Sequence, residues 1–176
     1  MLLVPAVAFS DFILAIHILA VVIAFGATFA YPILFASANR LDPTVLPWLF
    51  RTMQRISRTL VNPGLLVVLL AGIYLASDRH QWGNFYVQWG IAAVIVIGAI
   101  EGSFMIPREG RMAELAERDL ASAAVPAGGQ GTGAQRTSAR WSQEYNDSFR
   151  RLALGATVLD LIVVVTVFIM AARVGA

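Results

Sequence analysis

Four apolar stretches, at about 12–37, 60–77, 87–106 and 152–172, alternate with polar connections along the chain. A helix rising about 1.5 Å per residue needs roughly 20 residues to cross the hydrocarbon core of a bilayer, and each stretch is about that long. The pattern predicts an all-α, polytopic membrane protein built as a four transmembrane helix bundle. Residues 1–176 read as a single domain with a flexible loop over about 107–150, because too little chain is left for a second core.

The stretches have recognisable ends. Ser10-Asp11 is an N-cap pair before the first. Tyr31-Pro32 falls in its last third, where a proline is expected to kink the helix. Asp42-Pro43 and Pro47-Trp48 predict an interfacial turn, and Arg51 to Arg58 a helical lead into the second span. Asn62-Pro63-Gly64 predicts a further break, and Pro107 the close of the third span. Between spans three and four, 108–124 reads as a surface helix, 126–138 as a Gly-rich linker and 138–151 as a helical lead-in. Trp82, Phe85, Tyr86 and Trp89 predict an aromatic belt at headgroup depth.

Composition sharpens this picture. Hydrophobic residues make up 58% of the chain and charged ones 14%, with a mean hydropathy of +0.70, which no soluble domain of this size would carry. There is no cysteine, which excludes disulfide exchange, thiolate metal sites and covalent haem attachment. All 13 basic residues are arginine, and none forms the dense patch that a nucleic-acid partner requires.

The arginines set an orientation. Arg40, Arg51, Arg55 and Arg58 face only Asp42 in the first connection, and seven arginines lie in 107–151, whereas Asp78 and Arg79 balance in the short connection between them. Positive residues stay on the cytoplasmic side, so both termini are expected outside the cell membrane and Gly128 inside. Ala36-Ser37-Ala38 has the look of a signal-peptidase site, but residues 1–16 hold no Arg and the apolar run is long. An uncleaved first span is expected.

Ionisable side chains within spans are costly and are the first candidates for function. His17 lies about 9 Å below the outer end of the first span, at 1.5 Å per residue. Its neutral imidazole could ligate haem iron or another metal, or shuttle a proton. Ala20, Ala24, Gly26, Ala27 and Ala30 predict one small side on the same helix. His17 is expected to face the fourth span, where Met170 is at matching depth. Glu101 lies near the cytoplasmic end of the third span, with Arg55 and Arg58 at nearby depth. It is expected to pair with one of them, the alternative being a proton-carrying or cation-binding carboxylate. Asp160, about 12 Å inside the fourth span, reads equally as structural glue or proton relay, with Asn62, Ser57 or Thr28 at compatible depth. His80 sits on the outer turn and is expected to be solvated. Two histidines and no cysteine make no standard zinc or copper cluster.

Ile16-His17-Ile18-Leu19-Ala20, Phe25-Gly26 and Tyr31-Pro32 resemble the first helix of a superfamily of small bacterial four-helix membrane proteins. Arg55, Ser57-Arg58, Pro63-Gly64, Ala71-Gly72-Ile73-Tyr74-Leu75, Trp82 and Trp89 are similar to the domain-of-unknown-function 2269 family within it. Copper-resistance D-like proteins and HemJ-like protoporphyrinogen oxidases are similar over shorter stretches. The resemblance implies a bacterial inner-membrane location and, through the HemJ-like branch, haem b on His17; Met170, by its matching depth, could supply a second ligand. That branch pairs its histidine with a lysine in the second helix. This chain has no lysine, and Arg58 does not deprotonate readily, so porphyrinogen oxidation is not implied.

Three functions therefore stand open. One is a haem-binding or redox-associated membrane protein acting through His17. Another is a non-catalytic subunit or assembly factor of a larger membrane complex. The third is a small proton-coupled transporter using Glu101 and Asp160, which with four helices would need a homo-oligomer. The partner common to all three is the lipid bilayer, and no set of residues reads as a catalytic constellation.

Overall fold

The computed structural model describes residues 8–38, 42–124 and 141–175. Every regular element among them is helical: α1 Phe9–Ala38, α2 Leu46–Ile56, α3 Asn62–Asp78, α4 Phe85–Ile100, α5 Ile106–Ala124 and α6 Gln143–Ala171. The whole linker expected at 126–138, Gly128 included, lies outside the described residues.

Four continuous helical runs, Phe9–Phe35, Pro43–Asp78, Phe85–Ala123 and Gln143–Ala171, are long and apolar enough to cross a membrane. Each packs on its neighbour in the chain and the fourth closes on the first, which makes an up-down-up-down bundle. Large apolar side chains, among them Ile18, Val22, Ile33, Leu66, Leu70, Ile95, Leu161 and Phe168, point outward around it. A soluble monomer does not display so continuous an apolar surface; a bilayer solvates it.

The second and third runs, of 36 and 39 residues, reach about 54 and 58 Å at 1.5 Å per residue, well beyond a hydrocarbon core of about 30 Å. The excess, α2 and α5 with the first turns of α6, forms a helical cap on the arginine-rich end. Arg111 and Arg118 both hold Glu144, at 2.7 and 2.8 Å. Asp119 accepts the Ser142 N–H at 2.8 Å, while the Ser142 hydroxyl oxygen accepts the Tyr145 N–H and caps α6. The helical lead-in expected before the fourth span is therefore present. An aromatic cluster fills the cap: Phe35 meets Phe149 edge-on at 5.5 Å and Trp141 stacks on Tyr145 at 4.4 Å.

α1 runs through Pro32, while Pro47, Pro63 and Pro107 behave differently from the sequence expectation. Pro47 lies in the first turn of α2 instead of in a turn between helices, a place where its missing N–H has no partner to lose. The turn before it is a short 3₁₀ segment, Pro43–Val45, capped by Asp42. The Thr44 N–H and hydroxyl both donate to the Asp42 carboxylate, at 2.9 and 2.8 Å, which holds that carboxyl below its usual range.

Pro63 and Pro107 do not break the second and third runs either. Each comes after a five-residue π-helical turn, Ser57–Val61 and Glu101–Met105. A proline in an α-helix lacks its own N–H and collides with the carbonyl four residues back. Widening the preceding turn by one residue relieves that collision and lets the helix continue, as π-bulges commonly do at functional positions.

At the opposite end, His80 takes a left-handed conformation with φ 54°. The Gln81 N–H bonds to the Ala76 carbonyl at 2.9 Å and the His80 N–H to Ser77 at 3.2 Å, so His80 occupies the position after α3 where glycine usually closes a helix. Trp82 and Phe85 are about half exposed there, at 47% and 48%, but Tyr86 is buried and Trp89 donates inward to the Thr166 hydroxyl at 3.2 Å, so only two of the four aromatics expected in a belt face outward.

Candidate functional site

α1 turns His17, Ala20, Ala24, Thr28, Tyr31 and Phe35 towards the bundle, at spacings of three or four residues that keep one helix face inward. Polar groups gather where this face meets the two π-turns. Tyr31 is 2% exposed, Ser57 0%, Glu101 1% and Glu109 0%. The Tyr31 and Ser57 hydroxyls are 2.8 Å apart, and Ser57 donates to Glu109 Oε1 at 3.0 Å. Ser57 has one proton, so with that bond made Tyr31 is the donor to Ser57. The chain also has an opposite polarity. If Glu109 carries a proton it donates to Ser57, Ser57 to Tyr31, and Tyr31 to the Met53 carbonyl at 3.5 Å.

Glu101 completes the cluster. Its carboxyl lies beside Ser57 and within electrostatic reach of Glu109 and of Asp160. Both of its oxygens, and Glu109 Oε2, are buried without a hydrogen-bond partner. Asp160 on α6 sits beside Thr28 on α1, one of the three neighbours offered by depth, and the Thr28 hydroxyl donates to the Phe25 carbonyl at 2.9 Å. The arrangement thus holds three acids in one half of the bundle, two of them sealed from water.

The expected pairing of Glu101 with Arg55 or Arg58 is not made. Neither arginine bonds to it, and its oxygens have no donor. Ser57 points inward, and each residue along a helix rotates the side chain by about 100°. Arg55 and Arg58 are therefore carried to the outside, where both are exposed. Asn62 contributes its backbone N–H to the Ser57 carbonyl and so closes the first π-turn.

His17 also faces another way than expected. Its Nδ1 is 3.0 Å from the Val68 carbonyl on α3, and its Cε1 lies 3.3 Å from where a Cβ on Gly72 would stand. The histidine is thus set against the second span. Met170 packs its sulfur 2.9 Å from where a Cβ on Gly90 of α4 would stand. The small face foreseen around His17 is divided: Ala20 and Ala24 are buried, whereas Gly26 meets nothing within 4 Å and Ala30 is exposed.

Glu109 was not among the sequence candidates, because the stretch that holds it reads as a charged surface helix. Its signal lay in spacing. Met105, Glu109, Met112 and Ala116 fall at intervals of three and four residues, and all are buried. Among the described residues no group of three His, Cys, Asp or Glu side chains could hold a metal ion.

Comparison with protein-family models, with curated proteins and with solved structures returns no match.

Proposed function

We propose that this chain is a small proton-handling membrane protein, in which Glu101, Glu109 and Asp160 bind and pass protons during carrier-type transport. The observation that carries the reading is the sealed carboxyl pair at Ser57: three carboxyl oxygens buried without a hydrogen-bond donor, with the exposed Arg58 acting on Glu109 only through its charge. An ionised carboxylate in that setting costs several kcal/mol, so the group holds a proton or a small cation. The two polarities of the Tyr31–Ser57–Glu109 chain give that proton a path. Between Thr28 and His17, about 16 Å along α1 at 1.5 Å per residue, the buried side chains on or against α1 are Ala20, Ala24, Phe25, Leu65 and Val68. So apolar a segment offers no side-chain relay for protons, which favours a carrier over a channel. Four spans are few for a carrier, and two copies of the chain, or a larger membrane complex, would form it.

The orientation that fits this reading puts the arginine-rich cap in the cytoplasm and both termini outside, in a bacterial inner membrane, by the positive-inside rule. Protons would then reach Glu109 from the cytoplasmic side. The test is infrared spectroscopy of the protein in bilayers near neutral pH. A protonated-carboxyl C=O band should be present, weakened in Glu101→Gln and in Glu109→Gln and shifted in Ser57→Ala. A spectrum with no such band would sink the proposal.

A second reading, haem b or redox association at His17, is favoured by one contact. With Nδ1–H donating to the Val68 carbonyl, Nε2 is left unprotonated, the state in which a histidine ligates iron. His17 fits that role, while Met170 packs against Gly90 of α4. Haem would supply electron transfer, and this chain would supply the fixed imidazole. A Soret band in wild type that His17→Ala abolishes supports this reading; colourless protein expressed with haem supply rejects it.

A further inference from the structure

A groove of about 590 Å³ opens between α2 and α5 on the arginine-rich end, lined by Arg51, Gln54, Arg55, Arg58, Thr59, Gly110 and Glu114. Its arginines stand at positions 51, 55 and 58, so α2 and the π-turn after it present them on one face. They are not equivalent. Arg51 is bound to Glu117 at 2.8 Å, and Glu114 is itself taken by Arg111 at 3.3 Å. Among the described residues Arg55 and Arg58 form no ion pair, and they are left as two guanidiniums facing one concavity.

The floor is kept open by Gly110. Gln54 lies across it and donates to the Ile106 carbonyl at 2.9 Å, so a side chain at 110 would strike the amide. The depth is equally specific. Leu60, two residues beyond Arg58, is 44% exposed and starts the lipid-facing strip of the second span, while Trp48, three residues before Arg51, is 66% exposed. The groove therefore lies at the border between the apolar belt and the polar cap, which is where lipid phosphates lie in a bilayer.

We infer that the Arg55–Arg58 groove binds a phosphate anion, supplied by the headgroup of an anionic phospholipid. Guanidinium forks match phosphate oxygens with paired, charge-assisted hydrogen bonds. Two unpaired forks in one groove supply the charge that a zwitterionic headgroup, with its own ammonium, does not need. Free inorganic phosphate offers the same oxygens, so the experiment separates the two sources.

The test uses the full chain in nanodiscs of phosphatidylcholine alone or of phosphatidylcholine containing phosphatidylglycerol. Native mass spectrometry counts retained phosphatidylglycerol, and inorganic phosphate is titrated calorimetrically against the phosphatidylcholine discs. Three proteins are compared: wild type, Arg55→Gln/Arg58→Gln, and Arg150→Gln/Arg151→Gln, which removes the same charge beside the fourth span. The expected result is one phosphatidylglycerol per wild-type chain, held about tenfold or more weakly by the groove variant and unchanged in the other. Saturable inorganic phosphate binding lost in the groove variant, without phosphatidylglycerol preference, would assign the site to free phosphate instead. Equal behaviour of all three proteins, or equal loss in both variants, would overturn the site. If the double groove variant does not elute as a monodisperse protein, Arg55→Gln and Arg58→Gln singly carry the same comparison.

Discussion

Ser57 and Glu101 hold the same place in adjacent spans: each opens a five-residue π-turn, and each turn ends two residues before a proline. The Ser57 carbonyl accepts from Asn62 N–H and the Glu101 carbonyl from Ile106 N–H, one residue further on than in an α-helix. A π-turn rotates the helix beyond it relative to the helix before it. Here that rotation leaves Ser57 and Glu101 buried on the faces that meet, and returns Met105 and Glu109 to the interior one turn later. The prolines thus do more than punctuate the helices. They fix where the polar cluster forms.

Ser57→Ala should be costly for its size. The hydroxyl serves Tyr31 at 2.8 Å and Glu109 at 3.0 Å, and its loss leaves two buried polar groups without their partner. Each such orphan costs about 1–3 kcal/mol. A drop in thermal midpoint of several degrees in detergent is expected, larger than that of Ser103→Ala, whose exposed hydroxyl bonds only its own helix at Ala99. Equal midpoints for the two variants would remove Ser57 from the centre of the network.

Glu101→Gln should leave stability unchanged or raise it, and Glu101→Leu should raise it. The carboxyl has no donor or counter-ion to lose, and replacing a buried unpaired acid by an apolar group of similar size is often neutral or stabilising. A loss of about 3 kcal/mol or more in either variant, the size expected when a buried ion pair is broken, would show that Glu101 has a cationic partner. Thermal or chemical melts of the two variants beside wild type decide it.

The spans were legible because hydropathy over twenty residues overwhelms local detail; the four runs cover the four stretches read from sequence to within two residues. What failed were inferences from one coordinate. Matching Glu101 to Arg58 used depth alone, and azimuth sends Arg58 outward from the turn whose Ser57 points in. Reading Pro63 and Pro107 as breaks used the α-helical rule, and a π-turn is a way round it that depends on what the widened turn can pack against. Glu109 was hidden by its neighbours: Arg108, Arg111, Glu114 and Glu117 mark a surface helix, while the stripe of Met105, Met112 and Ala116 marks the buried face on which Glu109 lies. For Asp160, depth offered Asn62, Ser57 and Thr28 alike, and only the helix face singles out Thr28.

His80→Gly should stabilise the protein. A non-glycine residue in the left-handed region is unfavourable by about 1 kcal/mol, and His80 is exposed at φ 54° with no side-chain hydrogen bond among the described residues. A gain of roughly 0.5–1 kcal/mol is expected, seen as a higher thermal midpoint. A lower midpoint would mean that the imidazole makes a contact worth more than the backbone strain it imposes.

His17 and Gly72 should prove strongly coupled. The imidazole lies where a Gly72 side chain would stand, with 3.3 Å from that Cβ position to Cε1, and the same ring reaches the Val68 carbonyl at 3.0 Å. A methyl at position 72 therefore has to displace the ring, and displacement stretches the hydrogen bond that keeps Nδ1 satisfied in an apolar setting. Gly72→Ala alone should cost about 1–2 kcal/mol, a lost buried hydrogen bond together with overpacking. In a His17→Ala background the ring is gone, the space is open, and the same methyl should become neutral or favourable, since alanine suits a helix better than glycine by roughly 1 kcal/mol. A double-mutant cycle from thermal or chemical denaturation measures the difference directly. A coupling of about 1 kcal/mol or more confirms that His17 is held by the second span. Additive effects within about 0.3 kcal/mol would mean that the ring turns elsewhere once the protein is in a bilayer or detergent.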